Sequence, residues 1–263
     1  MKKILLALTA AAAFSGSAMA ADMAARPYTK APAPMVTPSW TGFYIFGGAG
    51  GGLWSASDSA RITGTGTPLS INQQQGGDGW FGTVGAGYDW QFNSSWVAGI
   101  FADGQFGSLK GSIADPTAAV ALTGTEKMQD AWAAGVRLGY LVAPNVLSYV
   151  NAGYSGSHWS GTTLLSSASG LPSGTHTNSF NSNGWFVGGG VENNLNIFGI
   201  TAPGWFMKTE YRGAYYGRKN INELADGTNV SVGRDIAFKP WVQTISTSLV
   251  YRFNWTGPVV AKY

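Results

Sequence analysis

The feature that most constrains the fold is a pattern of alternating apolar and small or polar residues that recurs eight times after Trp40. Alternation with a period of two is typical of a β-strand with two different faces, and none of the eight runs has the helical period. The sequence therefore predicts eight strands. They are Thr41 to Trp54, Gly79 to Gln91, Trp96 to Gly107, Asp130 to Val142, Leu147 to Trp159, Gly184 to Asn194, Trp205 to Tyr216 and Trp241 to Phe253.

The gaps between these runs alternate between short and long. Residues 92–95, 143–146 and 195–204 are short gaps, whereas residues 55–78, 108–129, 160–183 and 217–240 are each more than twenty residues long. An even number of strands with short turns on one side and long loops on the other is typical of bacterial outer-membrane barrels. A soluble sandwich has no reason to sort its connections in this way. The predicted fold is all-β, an eight-stranded antiparallel transmembrane up-and-down β-barrel with four long outer loops and short periplasmic turns.

The two ends of the chain lie outside this pattern. Met1 to Lys3 is basic, Ile4 to Phe14 is apolar and small residues precede Ala20, which predicts a cleaved secretory signal peptide at residues 1–20. An uncleaved anchor helix is less favoured, because the apolar run has about 11 residues and spanning needs about 20. We assign residues 21–39 to a proline-rich periplasmic arm, 40–253 to the barrel and 254–263 to a C-terminal tail. Export and a barrel together predict the outer membrane of a Gram-negative bacterium.

Tryptophan placement gives a second signal, because all 11 tryptophans fall at or near a predicted strand end. Indole rings prefer the two headgroup layers of a membrane. The pattern includes Trp40, Trp54, Trp159 and Trp255. The aromatic residues assigned to the membrane interface are Trp80, Trp90, Trp96, Trp132, Trp185, Trp205 and Trp241.

The charged residues follow one face of the strands. Charged residues make up only 11% of the chain, against about 25% in soluble domains. One face of each run is apolar and is assigned to lipid, whereas the opposite face carries nearly every charge within a strand. An eight-stranded barrel is just wide enough for side chains to fill it, so these charges are predicted to pair across the lumen. The predicted lumen network is Asp103, Arg137, Glu192, Lys208, Glu210, Arg212 and Arg252.

Such a network has two interpretations. It could be the gate of a small diffusion channel, or a plug that satisfies buried polar groups and closes the lumen. The plug is favoured because an open porin channel needs about 16 to 18 strands.

Catalytic and metal-binding chemistry has little support in the sequence. The chain has no cysteine and two histidines, His158 and His176. His158 and Ser160 share a strand face, as in a rim esterase, but the segment that follows has no acidic residue to complete a triad. The two histidines are weak candidates for haem binding because their spacing matches no ligand motif. We predict no enzyme, no cofactor, no metal site and no nucleic-acid partner, since the basic residues are scattered.

Several motifs carry a resemblance to a known family. They are Trp40-Thr41-Gly42-Phe43-Tyr44-Ile45, Lys208-Thr209-Glu210-Tyr211 and Tyr251-Arg252-Phe253-Asn254-Trp255. The chain resembles the alphaproteobacterial outer-membrane immunogenic proteins, which are RopB-type "porin family" proteins with an OmpA-like β-barrel domain. Such proteins often read Gly-Val-Glu-Ala-Asp in the third strand, where this chain has Gly99-Ile100-Phe101-Ala102-Asp103. The predicted network is therefore one acid short.

The resemblance implies an abundant surface antigen that supports envelope integrity and presents its loops, with haem binding in some relatives and no enzymatic activity. It implies as partners the outer-membrane lipids and lipopolysaccharide, the barrel-assembly machinery and host surface molecules.

Overall fold

The computed structural model describes residues 39–117, 121–197 and 200–253. The predicted signal peptide, nearly all of the predicted arm, the predicted tail and Trp255 lie outside these residues. The strands within them are β1 (Gly42–Ile62), β2 (Gln73–Gln91), β3 (Trp96–Asp115), β4 (Leu122–Ala143), β5 (Val146–Trp159), β6 (Thr162–Ser166), β7 (Pro172–Thr177), β8 (Phe180–Ile197), β9 (Ile200–Tyr216), β10 (Lys219–Ala225) and β11 (Ser231–Arg252).

Eight of these strands close into a ring. They pair antiparallel in the order β1, β2, β3, β4, β5, β8, β9 and β11, and β11 pairs again with β1. The closing register runs from Tyr44 opposite Arg252 to Ile62 opposite Arg234. Because the last strand pairs with the first, no edge of the ring is left open, which is the arrangement that a membrane requires of a sheet. The predicted eight-stranded antiparallel barrel is confirmed.

The outer segments predicted as long loops are mostly β-strand. β6 pairs with β4 and β7, and β10 pairs with β7 and β11. With the outer ends of β1, β3, β4 and β11 they form what we call the outer extension: residues 55–62, 109–117, 121–127, 160–183 and 217–239. Its strands bury Ile113, Leu164, Ile221 and Ile236. The sequence pattern missed β6, β7 and β10 because these strands are short and contain few apolar residues among Gly, Ser, Thr and Asn.

The outward face of the ring is apolar between two bands of aromatic side chains. In the outer band Tyr215 stacks between Trp185 and Trp241, with ring centroids 4.7 and 5.2 Å apart. In the inner band, near the short turns, Trp96 packs against Tyr140 at 5.3 Å. The seven tryptophans assigned to the interface have exposed fractions between 37% and 79%.

Three other tryptophans do not share this placement. Trp40, Trp54 and Trp159 are buried inside the barrel, each with no more than 1% of its surface exposed. Trp54 is buried because successive side chains of a strand point to opposite faces. Its neighbour Leu53 is exposed and points outward, so Trp54 points into the barrel. A position near a predicted strand end was therefore not sufficient to assign a tryptophan to the interface. Among the described residues, no helix is long and apolar enough to cross a membrane.

Candidate functional site

The lumen nearest the short turns contains four charged side chains, which we call the inner ion cluster: Asp89, Arg137, Glu192 and Arg252. Arg137 donates from Nε to Asp89 Oδ1 at 2.7 Å and from Nη1 to Glu192 Oε2 at 3.1 Å, and its Nη2 contacts Asp89 Oδ2. Arg252 donates from Nε to Glu192 Oε1 at 2.8 Å, and its Nη2 lies 2.8 Å from Asp89 Oδ2. Each guanidinium thus bridges both carboxylates.

Aromatic rings surround the inner ion cluster. The guanidinium carbon of Arg137 lies 4.4 Å from the ring centroid of Tyr44 and 5.2 Å from that of Tyr149. That of Arg252 lies 4.4 Å from the ring of Trp40, whose carbonyl oxygen accepts a hydrogen bond from Arg252 Nη1 at 3.3 Å. Stacked rings and bidentate pairing are the contacts in which arginine differs from lysine.

A second group lies farther along the lumen, and we call it the middle ion cluster: Asp103, Lys208, Glu210 and Arg212. Arg212 donates to both oxygens of Asp103, at 2.9 and 2.6 Å, and to Glu210 Oε1 at 2.8 Å. Lys208 Nζ lies 3.6 Å from Glu210 Oε2, which also accepts a hydrogen bond from the Tyr149 hydroxyl at 2.8 Å. Tyr149 therefore contacts both ion clusters.

The structure brings all seven predicted lumen residues into these two clusters and adds Asp89. Each cluster then contains two acids and two bases, so the apparent shortage of one acid disappears. Asp89 could have been identified from the alternation of the second predicted strand. It lies between Tyr88 and Trp90, which belong to the lipid face, so its own side chain points into the lumen. Gly99 makes room for it, since a side chain at this position would collide with the Asp89 carboxylate.

Beyond the middle ion cluster the lumen is filled by apolar side chains. Trp54, Trp159, Phe180 and Phe238 form an aromatic layer, with the ring of Trp159 at 5.4 Å from Trp54 and at 5.0 Å from Phe238. The two indole N–H groups are satisfied, because Trp54 donates to the carbonyl oxygen of Leu109 at 3.3 Å and Trp159 donates to Ser157 Oγ at 2.9 Å. This layer was not predicted from the sequence.

Little space remains between the middle ion cluster and the apolar side chains above it. The cavity lined by Gln105, Met128, Arg212, Tyr216 and Thr244 has a volume of about 10 Å³. That is roughly the space that one water molecule occupies. A hydrated ion or a small solute does not fit there without movement of the surrounding side chains.

The outer extension buries two carboxylates without a basic partner. The side chains of Asp58 and Glu126 are buried and make no hydrogen bond of good geometry. Burial raises the pKa of Asp58 to about 8, against a smaller opposing effect of the Ala114 backbone. Burial also raises the pKa of Glu126 to about 8, and the charge of Asp58 adds to the shift. Both groups therefore hold a proton at neutral pH.

Two further buried acids in the outer extension, Asp115 and Glu223, share a basic partner. Arg234 reaches Asp115 Oδ2 at 3.3 Å and Glu223 Oε2 at 3.2 Å. Burial and the neighbouring Asp115 raise the pKa of Glu223 to about 7, although Arg234 opposes the shift. Ionisation of this carboxyl group is therefore poised near neutral pH.

The two histidines contact different side chains. His158 Nδ1 lies 2.7 Å from Asn181 Oδ1, and His176 Nδ1 lies 2.7 Å from Asp226 Oδ1. His158 is opposite Asp130 and Asn181 in the sheet, whereas His176 belongs to β7. Within the described residues, no group of three or more His, Cys, Asp or Glu side chains could hold a metal ion.

The chain is similar to known outer-membrane proteins. The chain is 33% identical over 267 residues to the 31 kDa outer-membrane immunogenic proteins of Brucella melitensis biotype 1 and Brucella suis biovar 1, covering 96% of this chain and all of each relative. The crystal structure of OprG from Pseudomonas aeruginosa aligns with 81% of this chain and 97% of its own, at 11% identity and a TM-score of 0.48. The family described as "Outer membrane protein beta-barrel domain" matches residues 6–253. The resemblance inferred from the motifs is confirmed, and the chain belongs to this family of outer-membrane β-barrel proteins.

Proposed function

We propose that this protein is a structural barrel that supports the integrity of the outer membrane and displays its outer extension at the cell surface, with a lumen that does not conduct. The observation that carries the proposal is the content of the lumen. Two ion clusters of zero net charge and an aromatic layer follow one another along it. A continuous water path would have to pass all three.

The geometry of the ion clusters favours a plug over a gate. A selectivity filter presents charges of one sign to a hydrated passage. Here every carboxylate of the clusters contacts at least one base within 4 Å, and the eight side chains are buried. Opening a path would require separation of charges that are already out of water, which is costly in a low-dielectric environment.

Planar-bilayer conductance of the refolded chain without its signal peptide tests the closed lumen. We expect no steady current while circular dichroism shows full strand content. We expect the same for Arg137→Ala, because Arg252 and the aromatic layer remain in place. A reproducible open level in the unmodified protein would show that the lumen conducts. A steady current that appears only in Arg137→Ala would show that the inner ion cluster gates a pore.

The role in the envelope needs a separate test in cells. A strain that lacks the protein should become more sensitive to detergents and to large antibiotics that the outer membrane normally excludes. Complementation with Arg137→Ala should restore resistance to the extent that the variant folds. Unchanged sensitivity of the deletion strain would contradict a structural role, whatever the conductance.

A further inference from the structure

Two lysines point outward from neighbouring strands just beyond the outer aromatic band. Lys110 of β3 lies directly opposite Lys127 of β4 in the antiparallel register. Their neighbours Leu109 and Glu126 are buried in the barrel interior, so the alternation of the strands directs both lysines outward. We call Lys110 and Lys127 the lysine pair.

In the part of the chain that the structure describes, neither member of the lysine pair forms an ion pair. Directly opposed residues of two strands have Cβ atoms about 5 Å apart, and like charges in this position destabilise a sheet. Asp78 lies opposite Lys110 on the other side. Even so, no ion pair within 4 Å forms at either lysine among the described residues. An anion from outside the chain would relieve this repulsion.

The height of the lysine pair identifies the layer from which such an anion can come. Trp80 of β2 lies opposite Ser108 of β3, and Ser108 precedes Lys110 by two residues along β3. Trp132, on the strand of Lys127, belongs to the same outer band and is exposed. Aromatic bands mark the boundary between hydrocarbon and headgroups. The lysine pair therefore lies at the level of the headgroups of the outer leaflet.

The distribution of the other basic residues shows the same preference for the outer side. Among the described residues, the Lys and Arg side chains outside the two ion clusters all lie in the outer extension. They are Arg61, Lys110, Lys127, Arg218, Lys219, Arg234 and Lys239. Near the inner aromatic band, the described part of the chain has no exposed basic side chain. The acidic residues outside the clusters lie on the same side; they are Asp58, Asp78, Asp115, Glu126, Asp130, Glu223, Asp226 and Asp235. An external anion is therefore inferred from the like-charge pairing of Lys110 and Lys127 and not from the net charge of the outer side.

From this placement we propose that Lys110 and Lys127 form a binding site for a phosphate group on the headgroup of an outer-leaflet lipid. The lysine ammonium is a compact charge with three donors that binds phosphate well, and two of them match the double negative charge of a phosphate monoester. The exposed rings of Trp80 and Trp132 provide apolar surface below the pair for the acyl chains of the same lipid. The inference names one partner for the proposed structural role and rests on it.

Native mass spectrometry of the refolded mature chain in detergent micelles tests this site. The probes are lipid A with both phosphates and the same lipid after enzymatic removal of its phosphates. A lysine near an anionic lipid surface contributes about 1 kcal/mol, which corresponds to about fivefold in affinity. We expect Lys110→Gln with Lys127→Gln to weaken binding of phosphorylated lipid A by about 25-fold and to leave binding of the dephosphorylated lipid unchanged.

Two matched variants control for shape and for the loss of a surface side chain. Lys110→Arg with Lys127→Arg retains the charge and should bind within a few-fold of the unmodified protein. Gln129→Ala changes a neighbouring exposed, uncharged residue and should have no effect. If the double glutamine variant does not show the heat-modifiable gel shift of a folded barrel, the two single glutamine variants carry the test, each with an expected fivefold loss.

Three results would overturn the proposal. They are unchanged affinity in the glutamine variants, equal affinity for dephosphorylated lipid A, and complete displacement of the lipid by inorganic phosphate or a soluble sulfated polysaccharide at equal concentration. The last would indicate a site for soluble anions. Failure here is separable from failure of the proposed function, since loss of lipid binding does not open the lumen and an open lumen does not remove the lysine pair.

Discussion

Substitution of Arg137 tests how strongly the inner ion cluster holds the barrel together. Arg137 and its partners Asp89 and Glu192 have no more than 3% of their side-chain surface exposed. Arg137→Gln leaves two carboxylates to share Arg252, so the cluster acquires an unbalanced buried negative charge. Removing one partner of a buried ion pair typically costs about 3 to 5 kcal/mol. We expect a loss of that size in the free energy of unfolding.

Urea unfolding in detergent micelles, followed by the gel shift of the folded barrel, measures this loss. With about 1 to 3 kcal/mol per molar urea as the slope, the midpoint should fall by at least about 1 M. The matched control is Asp89→Asn with Arg137→Gln, which removes one charge of each sign and leaves Glu192 paired with Arg252.

The double variant should recover a large part of the stability lost in Arg137→Gln. A loss of less than about 1 kcal/mol in the free energy of unfolding of the single variant would refute this expectation, because a buried unpaired charge destabilises a fold by more than that. Simple addition of the losses of Asp89→Asn and Arg137→Gln in the double variant would also contradict a shared network, since residues in one ion-pair network are expected to couple.

Three further predictions concern the aromatic layer, the strand packing and the buried carboxylates. Trp54→Ala should lower the stability of the outer extension by about 3 to 5 kcal/mol, seen as faster proteolysis of the extension, while the bilayer conductance stays closed because both ion clusters remain. Gly48→Ala should impair folding, because the new methyl group would collide with the carbonyl oxygen of Thr247, whereas Gly47→Ala, whose nearest neighbour would be 3.8 Å away, should fold normally by gel shift. The folded-state pKa of Asp58 is raised from 3.8 to about 8, so the native state binds the extra proton. The stability of the outer extension should therefore be highest at acidic pH and fall as the pH rises towards about 8. Urea midpoints across this range should flatten in Asp58→Asn, and an unchanged pH dependence in that variant would contradict the assignment.

The transmembrane part could be predicted closely because the membrane imposes a simple rule on it. Lipid on one side and a narrow lumen on the other force strict alternation, and the run from Lys208 to Arg212 shows it with charges at every second residue. In the structure Lys208, Glu210 and Arg212 are buried, whereas Thr209 and Tyr211 are exposed. The odd or even position of a residue along its strand is enough to assign its side chain to the lipid or to the lumen, without knowledge of its partners.

The outer extension was harder to predict because small polar residues are accepted on both faces of its strands. The alternation of apolar and polar residues is therefore weak there. β6 carries Leu164 inward among Thr and Ser, and β10 carries Ile221 inward between two Asn residues. These segments are rich in residues that also favour loops. The same region contains Asp58 and Glu126, buried acids that a rule of apolar inward and polar outward cannot identify.

The sequence also could not show which charged side chains pair with each other across the lumen. Parity places Arg137 and Arg252 in the lumen, but it does not show that both bridge Asp89 and Glu192, from strands distant in the chain. Those distances depend on how far each strand is shifted relative to the next, which the tilt of a closed barrel sets. The register, and with it the pairing, follows only from the assembled ring.

The charges of the described residues thus fall into two sets that serve different ends. Those of the two ion clusters are balanced and face inward, so the spanning part presents little net charge to the hydrocarbon that it must enter. The cations outside these clusters lie on the outer side, where anionic headgroups can neutralise them. Exchange of Lys110 and Lys127 for acidic residues should therefore weaken contact with the outer leaflet without disturbing either ion cluster, which separates the role of the surface from that of the lumen.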